Sequence, residues 1–275
     1  MTFKSIGIIG LGLIGGSAAK AFAGKGITLF GLEQSTSTLA EAAGEGIFNG
    51  LTDSLDDFLS FEPELIYICL PVEATKEILK ALSDKEVKTP IADAASTKSS
   101  VCALALALSL NFCGGHPIAG REVSGFSSSL HNLFEGAVYV ITPVAKEFPV
   151  AELQILHQNI GMKVVHMTAE KHDIVFGAIS HLPHVTAFSL VETVDFACSE
   201  AFSYTGGGFK DFTRIAASNP RMWTDIFLDN DQIIIDLIDK YVDSLLSWKK
   251  DITEKNDKQI YKRIEKASNI RRSIQ

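Results

Sequence analysis

The chain has 275 residues, of which 46% are hydrophobic and 21% are charged, and its 25 basic and 33 acidic side chains give a net charge of −8. This composition is typical of a globular protein and excludes fibrous and low-complexity classes. A net negative charge gives no electrostatic basis for binding a phosphate backbone or an anionic bilayer, so neither nucleic acid nor a membrane is a predicted partner. The longest apolar stretch after the first predicted strand, Val101 to Leu110, is far shorter than the roughly 20 residues of a membrane helix.

The N-terminal residues and the cysteines both indicate a reducing compartment. The chain runs within ten residues into a glycine-rich segment and shows no secretory leader, so we expect a cytoplasmic protein. Cys69, Cys102, Cys113 and Cys198 form no Cys-x-x-Cys pair. Reduced, mostly buried thiols are therefore expected, with neither a disulfide framework nor a zinc site.

Up to about residue 168, short β-rich runs alternate with helical segments, which is the pattern of a parallel α/β sheet. The predicted strands are Ser5–Gly10, Thr28–Leu32, Leu65–Leu70, Pro90–Asp93, Phe112–Gly115, Ala137–Thr142 and Lys163–Met167. Ligands of such sheets gather outside the carboxyl ends of the strands. Pro71, Ser96 and His116, each just past a predicted strand, are therefore candidate cleft residues.

After Thr168 the strand signals stop and helical periodicity continues through Tyr241. The sequence therefore predicts two domains, an α/β domain over residues 1–168 and an all-helical domain over residues 169–275. The apolar helix faces between Ile226 and Leu246 fit burial against a second subunit, and they fit intrachain burial equally well. The charged segment from Lys249 to Gln275 is predicted to be an exposed amphipathic helix or a frayed tail.

A G-x-G-x-x-G motif lies where the first predicted strand turns into a helix, at Gly10-Leu11-Gly12-Leu13-Ile14-Gly15. Gly10 permits the tight turn, Gly12 lets a pyrophosphate approach the backbone, and Gly15 allows close packing of helix on strand. Amides at the helix N-terminus, around Leu13 and Ile14, bind the anion. The motif in this context predicts a Rossmann-type dinucleotide-binding domain.

Glu33, at the end of the second predicted strand, is the candidate for binding the adenosine ribose. Its carboxylate can accept hydrogen bonds from the ribose hydroxyls, whereas a 2′-phosphate at this position would meet a negative charge and no adjacent arginine. NAD is therefore favoured over NADP. The alternative interpretation is a solvated acid at a strand end.

Four segments concentrate polar residues that an ordinary core would not contain: Asp93-Ala94-Ala95-Ser96-Thr97-Lys98, Gly114 to Glu122 (GGHPIAGRE), Ser180-His181-Leu182-Pro183-His184 and Gly206 to Trp223. Together they resemble the prephenate dehydrogenase family, which includes arogenate and cyclohexadienyl dehydrogenases. The resemblance extends from the first glycine to at least Trp223. It implies NAD-dependent oxidative decarboxylation of prephenate to 4-hydroxyphenylpyruvate, by a homodimer whose subunit is a Rossmann domain followed by a helical dimerisation domain.

A histidine beside a nicotinamide site suggests a base or hydrogen-bond acceptor that polarises a substrate hydroxyl during hydride transfer. The resemblance assigns this catalytic role to His116, and it places Ser96 as a hydroxyl bridging His116, the nicotinamide and the substrate. Ser96 could equally cap a helix. Lys98 is interpreted as a surface charge in the first helical turn, and His172 as a capping or hinge residue.

An acidic protein needs a local cation to hold a substrate with two carboxylates. The resemblance makes Arg214 the candidate, and the alternative is that Arg214 only forms an i,i+3 helix pair with Asp211. Glu122 matches an acid at the pocket mouth in the family, and both Glu122 and Asp211 could favour the amine of arogenate. Arg121 stands where the family most often has a small residue, and no specificity follows from it.

His181 and His184 lie three residues apart on a predicted helix, but no third ligand has a recognisable spacing, so no metal site is predicted. The resemblance implies that His181 contacts the substrate, and it leaves His184 open between contact and packing. Trp223 matches an aromatic near the substrate, although a helical tryptophan is by default core.

Two other functions compete with this interpretation, a β-hydroxyacid dehydrogenase and a catalytically inactive NAD-binding sensor. A β-hydroxyacid dehydrogenase needs a lysine with an asparagine four residues later, and the predicted helical domain has no such catalytic pair. A catalytically inactive NAD-binding sensor is opposed by the joint presence of His116, Ser96, His181 and Arg214.

Overall fold

The computed structural model describes residues 3–274. The chain separates into two compact units, the first ending at Asn230 and the second beginning at Asp231. The first unit contains an eight-stranded sheet with helices on both faces, followed by further helices. This is the predicted fold class, a mostly parallel α/β domain followed by helical structure.

The strands have the order β3-β2-β1-β4-β5-β6-β7-β8 in the sheet. Their bounds are β1 Ser5–Ile9, β2 Thr28–Leu32, β3 Gly50–Thr52, β4 Leu65–Ile68, β5 Ile91–Asp93, β6 Phe112–Ile118, β7 Val138–Pro143 and β8 Lys163–His166. All neighbouring pairs are parallel except β6 and β7, which are antiparallel. The sequence missed β3, because three half-buried edge residues give no periodic signal.

The helices of the first unit are α1 Leu13–Phe22, α2 Thr36–Gly44, α3 Leu55–Ser60, α4 Val72–Asp84, α5 Ser99–Ala107, α6 Val150–Gln158, α7 Ala169–Phe176, α8 Leu182–Cys198, α9 Gly207–Thr213 and α10 Pro220–Asp229. A π-helical turn, Gly177–His181, joins α7 to α8. Within residues 3–274 no strand follows His166, so the predicted change to helical structure after Thr168 is confirmed.

The prediction that His116 lies in a loop after a strand is wrong, because β6 continues to Ile118. Only Phe112 and Cys113 of β6 pair with β5, whereas His116 pairs with Val140 of the antiparallel β7. The antiparallel partner extends β6 past the end of β5. His116 therefore still lies beyond the carboxyl end of a parallel strand, where ligands of such sheets bind.

The central strands are buried on both faces, as expected for a sheet covered by helices on each side. One core cluster includes Ile8, Phe22 and Tyr139, and the other, on the opposite face, includes Ile9 and Phe112. Of the four free cysteines, Cys102 and Cys113 are buried, Cys69 is partly buried and Cys198 is exposed.

The second unit is a pair of helices, α11 Asp231–Thr253 and α12 Asp257–Ser273. They are joined by an ion pair between Arg263 Nε and Asp251 Oδ2, 2.8 Å apart, and Arg263 also lies 5.4 Å from the ring centre of Trp248. No described residue of α12 is buried. The charged segment that begins at Lys249 was predicted to be either an exposed amphipathic helix or a frayed tail. Its described part is helical and exposed, as the first alternative states.

The helical run Ala169–Tyr204 is long and apolar enough to cross a membrane by length and composition, with a mean hydropathy of 1.5 and 22% of its most apolar window buried. The sequence missed it because isolated polar residues divide it into short apolar stretches. A single such helix is weak support for a membrane span, since a helix covered by another protein surface has the same composition.

Candidate active site

The glycine-rich turn between β1 and α1 has the geometry that the sequence predicts. Gly10 has φ of +88°, and a Cβ there would lie 2.7 Å from the carbonyl oxygen of Cys69. A Cβ on Gly15 would lie 1.9 Å from the Gly10 oxygen, whereas one on Gly12 would meet no atom within 4 Å. Gly10 and Gly15 are thus needed to close the turn, and Gly12 faces open space, where a pyrophosphate can approach the backbone.

Glu33 follows β2 and stabilises the glycine-rich turn between β1 and α1. Its carboxylate accepts hydrogen bonds from the amides of Leu11 (2.9 Å) and Ser35 (3.0 Å). The group is therefore tied to the glycine-rich turn and is not merely solvated. Each carboxylate oxygen keeps a further lone pair, so Glu33 can still accept from ribose hydroxyls. Pro71 is exposed and forms the N-cap position of α4.

The partly buried His116 ring contacts the start of the helical region. Its Nδ1 lies 2.8 Å from Nε2 of His172, and the Phe176 ring packs edge-on to it at 5.2 Å between centres. Burial, with added repulsion from His172, Lys98 and His181, holds the pKa of His116 well below its usual value of 6.5. The imidazole is therefore neutral at neutral pH and can accept a proton.

Lys98 is not the surface charge predicted from the sequence. Its side chain is fully buried and forms an ion pair with the equally buried Asp93. Lys98 Nζ also donates to the Gly115 carbonyl (2.8 Å), and Asp93 accepts from the Gly115 amide (2.8 Å). The interpretation of Lys98 as a residue of the first helical turn was wrong, because Lys98 is the N-cap of α5 and its side chain points into the protein.

His172 is not the capping residue of its helix, since the N-cap of α7 is Thr168, whose hydroxyl accepts from the Lys171 amide (3.2 Å). His172 is fully buried, and its Nδ1 lies 2.8 Å from Oδ1 of Asp173. The two Asp173 carboxylate oxygens also accept from the amides of Lys98 and Ser99, each at 2.8 Å. Asp173 thereby binds the first turn of α5.

Ser96 lies in the loop between β5 and α5 and is partly buried. The alternative role as a helix cap is wrong, because Lys98 holds the N-cap position of α5 and Asp173 satisfies the amides there. Within the described chain the Ser96 hydroxyl makes no hydrogen bond. It is therefore free to bind a ligand.

Arg214 forms an ion pair with Glu122, which lies between β6 and β7. The expected i,i+3 partner, Asp211, makes no ion pair with any residue in the range 3–274, so the purely helical alternative is wrong. The Arg214 side chain is 61% exposed, so its guanidinium is accessible to a ligand. Asp211, on α9, and Arg121, in the connection between β6 and β7, are both exposed to solvent.

The π-turn and α8 bring the two histidines of the SHLPH segment against α10. The His184 ring stacks on Trp223 with 3.5 Å between ring centres, and His181 lies edge-on to the same ring at 6.0 Å. His181 is buried, and its Nδ1 lies 3.0 Å from the amide nitrogen of Asn230. Trp223 is mostly core, but its indole N–H is buried without a partner in the described chain.

Burial lowers the pKa of His181 to about 4, although Asp173 opposes this shift, and burial also lowers the pKa of His184. Both rings are therefore neutral at neutral pH. Across residues 3–274 no group of three histidine, cysteine or acidic side chains is arranged to hold a metal ion.

The sequence did not reveal the structural roles of four residues near His116 and His181: Asp93, Lys98, Asp173 and Asn230. Charged side chains beside apolar runs, as in Ile91-Ala92-Asp93 and His172-Asp173-Ile174-Val175, were the available signal. A charge within a buried strand or helix needs a partner. The partners come from distant segments, so the sequence alone does not identify them.

Comparison with family models gives two matches that cover most of the chain. Residues 18–166 match the model "Prephenate dehydrogenase, nucleotide-binding domain", and residues 168–266 match "Prephenate dehydrogenase, dimerization domain". The two matches meet at the end of β8.

Individual relatives agree with the family models. The chain is 33% identical to a prephenate dehydrogenase of Lactococcus lactis, in a match that covers 99% of this chain and 78% of the relative. It is also 33% identical to a cyclohexadienyl dehydrogenase of Zymomonas mobilis, in a match that covers 88% of this chain and 86% of the relative. Among solved structures, prephenate dehydrogenase from A. aeolicus in complex with hydroxyphenyl propionate and NAD+ superposes with a TM-score of 0.92. That match has 34% identity and covers 100% of this chain and 99% of the other.

Proposed function

Because the chain belongs to the prephenate dehydrogenase family and is thus an NAD-dependent oxidoreductase, we propose that it oxidatively decarboxylates prephenate to 4-hydroxyphenylpyruvate, CO2 and NADH in tyrosine biosynthesis. The observation that carries the proposal is His116, a neutral imidazole beyond the carboxyl end of β5. A neutral imidazole at this edge of a nucleotide-binding sheet can accept the hydrogen bond of a substrate hydroxyl. We assign this catalytic role to His116.

The cofactor is NAD, and the open space in front of Gly12 fits its pyrophosphate. When bound at this turn, NAD would supply the hydride acceptor of the reaction. Gly10, Gly15 and the first amides of α1, at Leu13 and Ile14, form the anion-binding turn. Glu33 accepts from the ribose hydroxyls and opposes a 2′-phosphate.

Pro71, at the start of α4, and Ser96, with its free hydroxyl, border the nicotinamide end of the cofactor site. In this proposal Ser96 links the nicotinamide, His116 and the substrate hydroxyl. The support is that its hydroxyl neither caps α5 nor bonds to another described side chain.

One of the two substrate carboxylates is assigned to Arg214. Its guanidinium fork suits bidentate binding of a carboxylate, and it is the exposed cation that the structure pairs with Glu122. A bound carboxylate and Glu122 would share or exchange this cation. His181, His184 and the unpartnered indole N–H of Trp223 are assigned to the remaining polar groups of the substrate.

The alternative substrate is arogenate, alone or together with prephenate. One relative is named a cyclohexadienyl dehydrogenase, and Glu122 and Asp211 offer carboxylates for an amine. A single ammonium-for-ketone exchange can be decided by one pocket residue. We favour prephenate over arogenate as the substrate. Glu122 is already paired with Arg214, so its carboxylate offers less free negative charge to the ammonium group of arogenate.

We assign residues 1–168 to the dinucleotide-binding domain and residues 169–275 to the substrate and dimerisation domain, and we propose a cytoplasmic homodimer with neither nucleic acid nor membrane as partner. The match of residues 168–266 to a dimerisation domain supports the dimer. Exposed apolar side chains in the same region, such as Phe196 (96% exposed) and Ile179 (66%), need a covering surface. A second copy supplies one without a bilayer.

The test is NADH or NADPH formation by purified protein with prephenate and with arogenate, each with NAD and with NADP. We expect strong turnover with prephenate and NAD. Faster turnover of arogenate than of prephenate would change the assigned substrate but leave the proposed mechanism unchanged. Faster turnover with NADP than with NAD would overturn the role of Glu33. Measurable NAD binding without turnover of either substrate would favour the sensor. A His116→Asn variant that binds both ligands and turns over normally would contradict the role of His116.

A further inference from the structure

We propose that His172 and Asp173 are positioning residues that fix the tautomer of His116, so that its Nδ1 carries the proton and its Nε2 presents a lone pair to the substrate hydroxyl. The proposal rests on the function proposed above and adds two residues that act through His116. It follows from the order of donors and acceptors in one buried chain of hydrogen bonds.

The chain of hydrogen bonds starts at Asp173. Burial alone would raise the pKa of this carboxyl, but hydrogen bonds from His172, Ser99 and Lys98 outweigh burial and lower it. Asp173 is therefore an ionised carboxylate that can only accept hydrogen bonds. It lies at the N-terminus of α5, where the helix dipole further favours a negative charge.

An ionised Asp173 determines which nitrogen of His172 carries the proton. His172 Nδ1 lies 2.8 Å from the carboxylate, so this nitrogen must donate. Burial lowers the pKa of His172, although the hydrogen bond to Asp173 opposes this shift, and the ring is neutral at neutral pH. A neutral imidazole has one donor and one acceptor. Nε2 of His172 is therefore the acceptor.

The same reasoning passes to His116. Its Nδ1 lies 2.8 Å from Nε2 of His172, which can only accept, so His116 Nδ1 donates and Nε2 is left as the acceptor. Within residues 3–274 His116 Nε2 has no hydrogen-bond partner. Phe176 packs against both rings, with centre distances of 5.2 Å to His116 and 4.5 Å to His172, and so restricts their rotation.

This arrangement matches what the proposed reaction needs. As the hydride leaves the substrate carbon for NAD, the hydroxyl O–H bond breaks and its proton passes to His116 Nε2. Loss of CO2 makes the ring aromatic, and His116 returns the proton to the ring oxygen, so no net proton is consumed. The imidazolium formed in between is stabilised by His172 as acceptor and by the charge of Asp173. The opposite tautomer would present a proton to the hydroxyl and could not start the transfer.

The first test is independent of turnover. Nitrogen-15 NMR of the histidine rings separates protonated from unprotonated ring nitrogens, and single-histidine variants assign the signals. We expect the wild-type protein with NAD bound to carry protons on Nδ1 of both His116 and His172. A proton on His116 Nε2 would overturn the proposal, whether or not the protein turns over prephenate. Absence of turnover with the expected tautomers would instead overturn the proposed function and leave the tautomer assignment in place.

The second test compares two substitutions at one position. His172→Gln keeps an amide oxygen that can accept from His116 Nδ1, whereas His172→Leu has no acceptor. We expect His172→Leu to lower kcat by roughly 10²-fold or more, the usual contribution of proton transfer to a positioned base, and His172→Gln to recover most of this loss. NAD affinity should be unchanged in both variants. The exposed His166→Gln should keep wild-type kcat. Wild-type kcat in His172→Leu, or equal losses in the two His172 variants, would contradict the positioning role.

Discussion

Lys98 and Asp93 form an ion pair from which solvent is fully excluded, and together they bind both backbone polar groups of Gly115, the residue before His116. A Cβ on Gly115 would lie 2.0 Å from the hydroxyl of Tyr139, so this strand position has no room for a side chain. The loop that carries Ser96 runs between the two charged residues. The buried pair therefore couples the position of Ser96 to that of His116.

Replacing Lys98 by methionine should destabilise the protein strongly. Breaking a buried ion pair leaves an uncompensated charge, here Asp93, at a cost of about 3–5 kcal/mol. The measurement is the free energy of unfolding in urea. Lys85→Met is the matched control, because Lys85 pairs with Asp56 at the surface, with side chains 37% and 77% exposed. An exposed pair is worth less than about 1 kcal/mol. Comparable losses in both variants would contradict the structural role given to Lys98.

Gly12 and Gly15, both in the glycine-rich turn between β1 and α1, should respond differently to substitution by alanine. A Cβ at Gly12 has no protein atom within 4 Å, so the free energy of unfolding of Gly12→Ala should stay within about 0.5 kcal/mol of wild type. Its methyl group would lie where the pyrophosphate approaches the backbone, so NAD should bind at least about tenfold more weakly. Gly15→Ala places its Cβ 1.9 Å from the Gly10 oxygen, so it should lower stability by about 1–3 kcal/mol. Thermal unfolding and calorimetric titration with NAD measure both effects. Unchanged NAD affinity in Gly12→Ala would show that the dinucleotide does not approach there.

Arg214→Ala should raise the KM for prephenate far more than the KM for NAD. Loss of a charge-assisted hydrogen bond costs about 1.5–3 kcal/mol, so kcat/KM for prephenate should fall by about 10- to 150-fold. Steady-state kinetics with each substrate varied in turn measure the effect. Lys163→Ala, which removes an exposed cation on β8, should leave both KM values unchanged. Equal increases in the two KM values for Arg214→Ala would refute its role in substrate binding.

The sequence predicts the sheet and the glycine-rich turn well, because both depend on local patterns. Leu65 to Ile68 is apolar throughout and fully buried, and Gly10, Gly12 and Gly15 are set by a turn of fixed spacing. The end of β6 was missed because His116 is held in a strand by Val140 of β7, a pairing with no local signal.

The residues behind the site could not be predicted for a related physical reason. A charged or imidazole side chain normally faces solvent, and Lys98 and His172 are buried only because Asp93 and Asp173 compensate them. The Lys98 amide is bonded to Asp173, 75 residues further along the chain. Only the folded structure brings such partners together.

His157 should make the stability of the protein fall as the pH is lowered. The ring is buried, stacks on Tyr139 with 3.5 Å between centres, and donates from Nδ1 to the Leu153 carbonyl, while Nε2 has no partner in the described chain. Burial lowers the pKa of His157 from 6.5 to about 4, although the hydrogen bond to Leu153 opposes the shift. The unfolded chain therefore binds a proton before the folded protein does. The stabilisation from a neutral His157 is complete above about pH 6.5 and is lost as the pH falls towards 4.

His157→Phe keeps an aromatic ring at this position and removes the titration. Between neutral pH and about pH 4.5, wild-type protein should lose about 2.5 kcal/mol more unfolding free energy than His157→Phe. Urea unfolding at both pH values measures the difference, and other titrating groups cancel because they are common to both proteins. The exposed His166→Gln should follow the wild-type pH dependence. Parallel pH profiles for wild type and His157→Phe would mean that this imidazole is hydrated or already protonated in the folded state, against the enclosed packing with Tyr139 and Phe22.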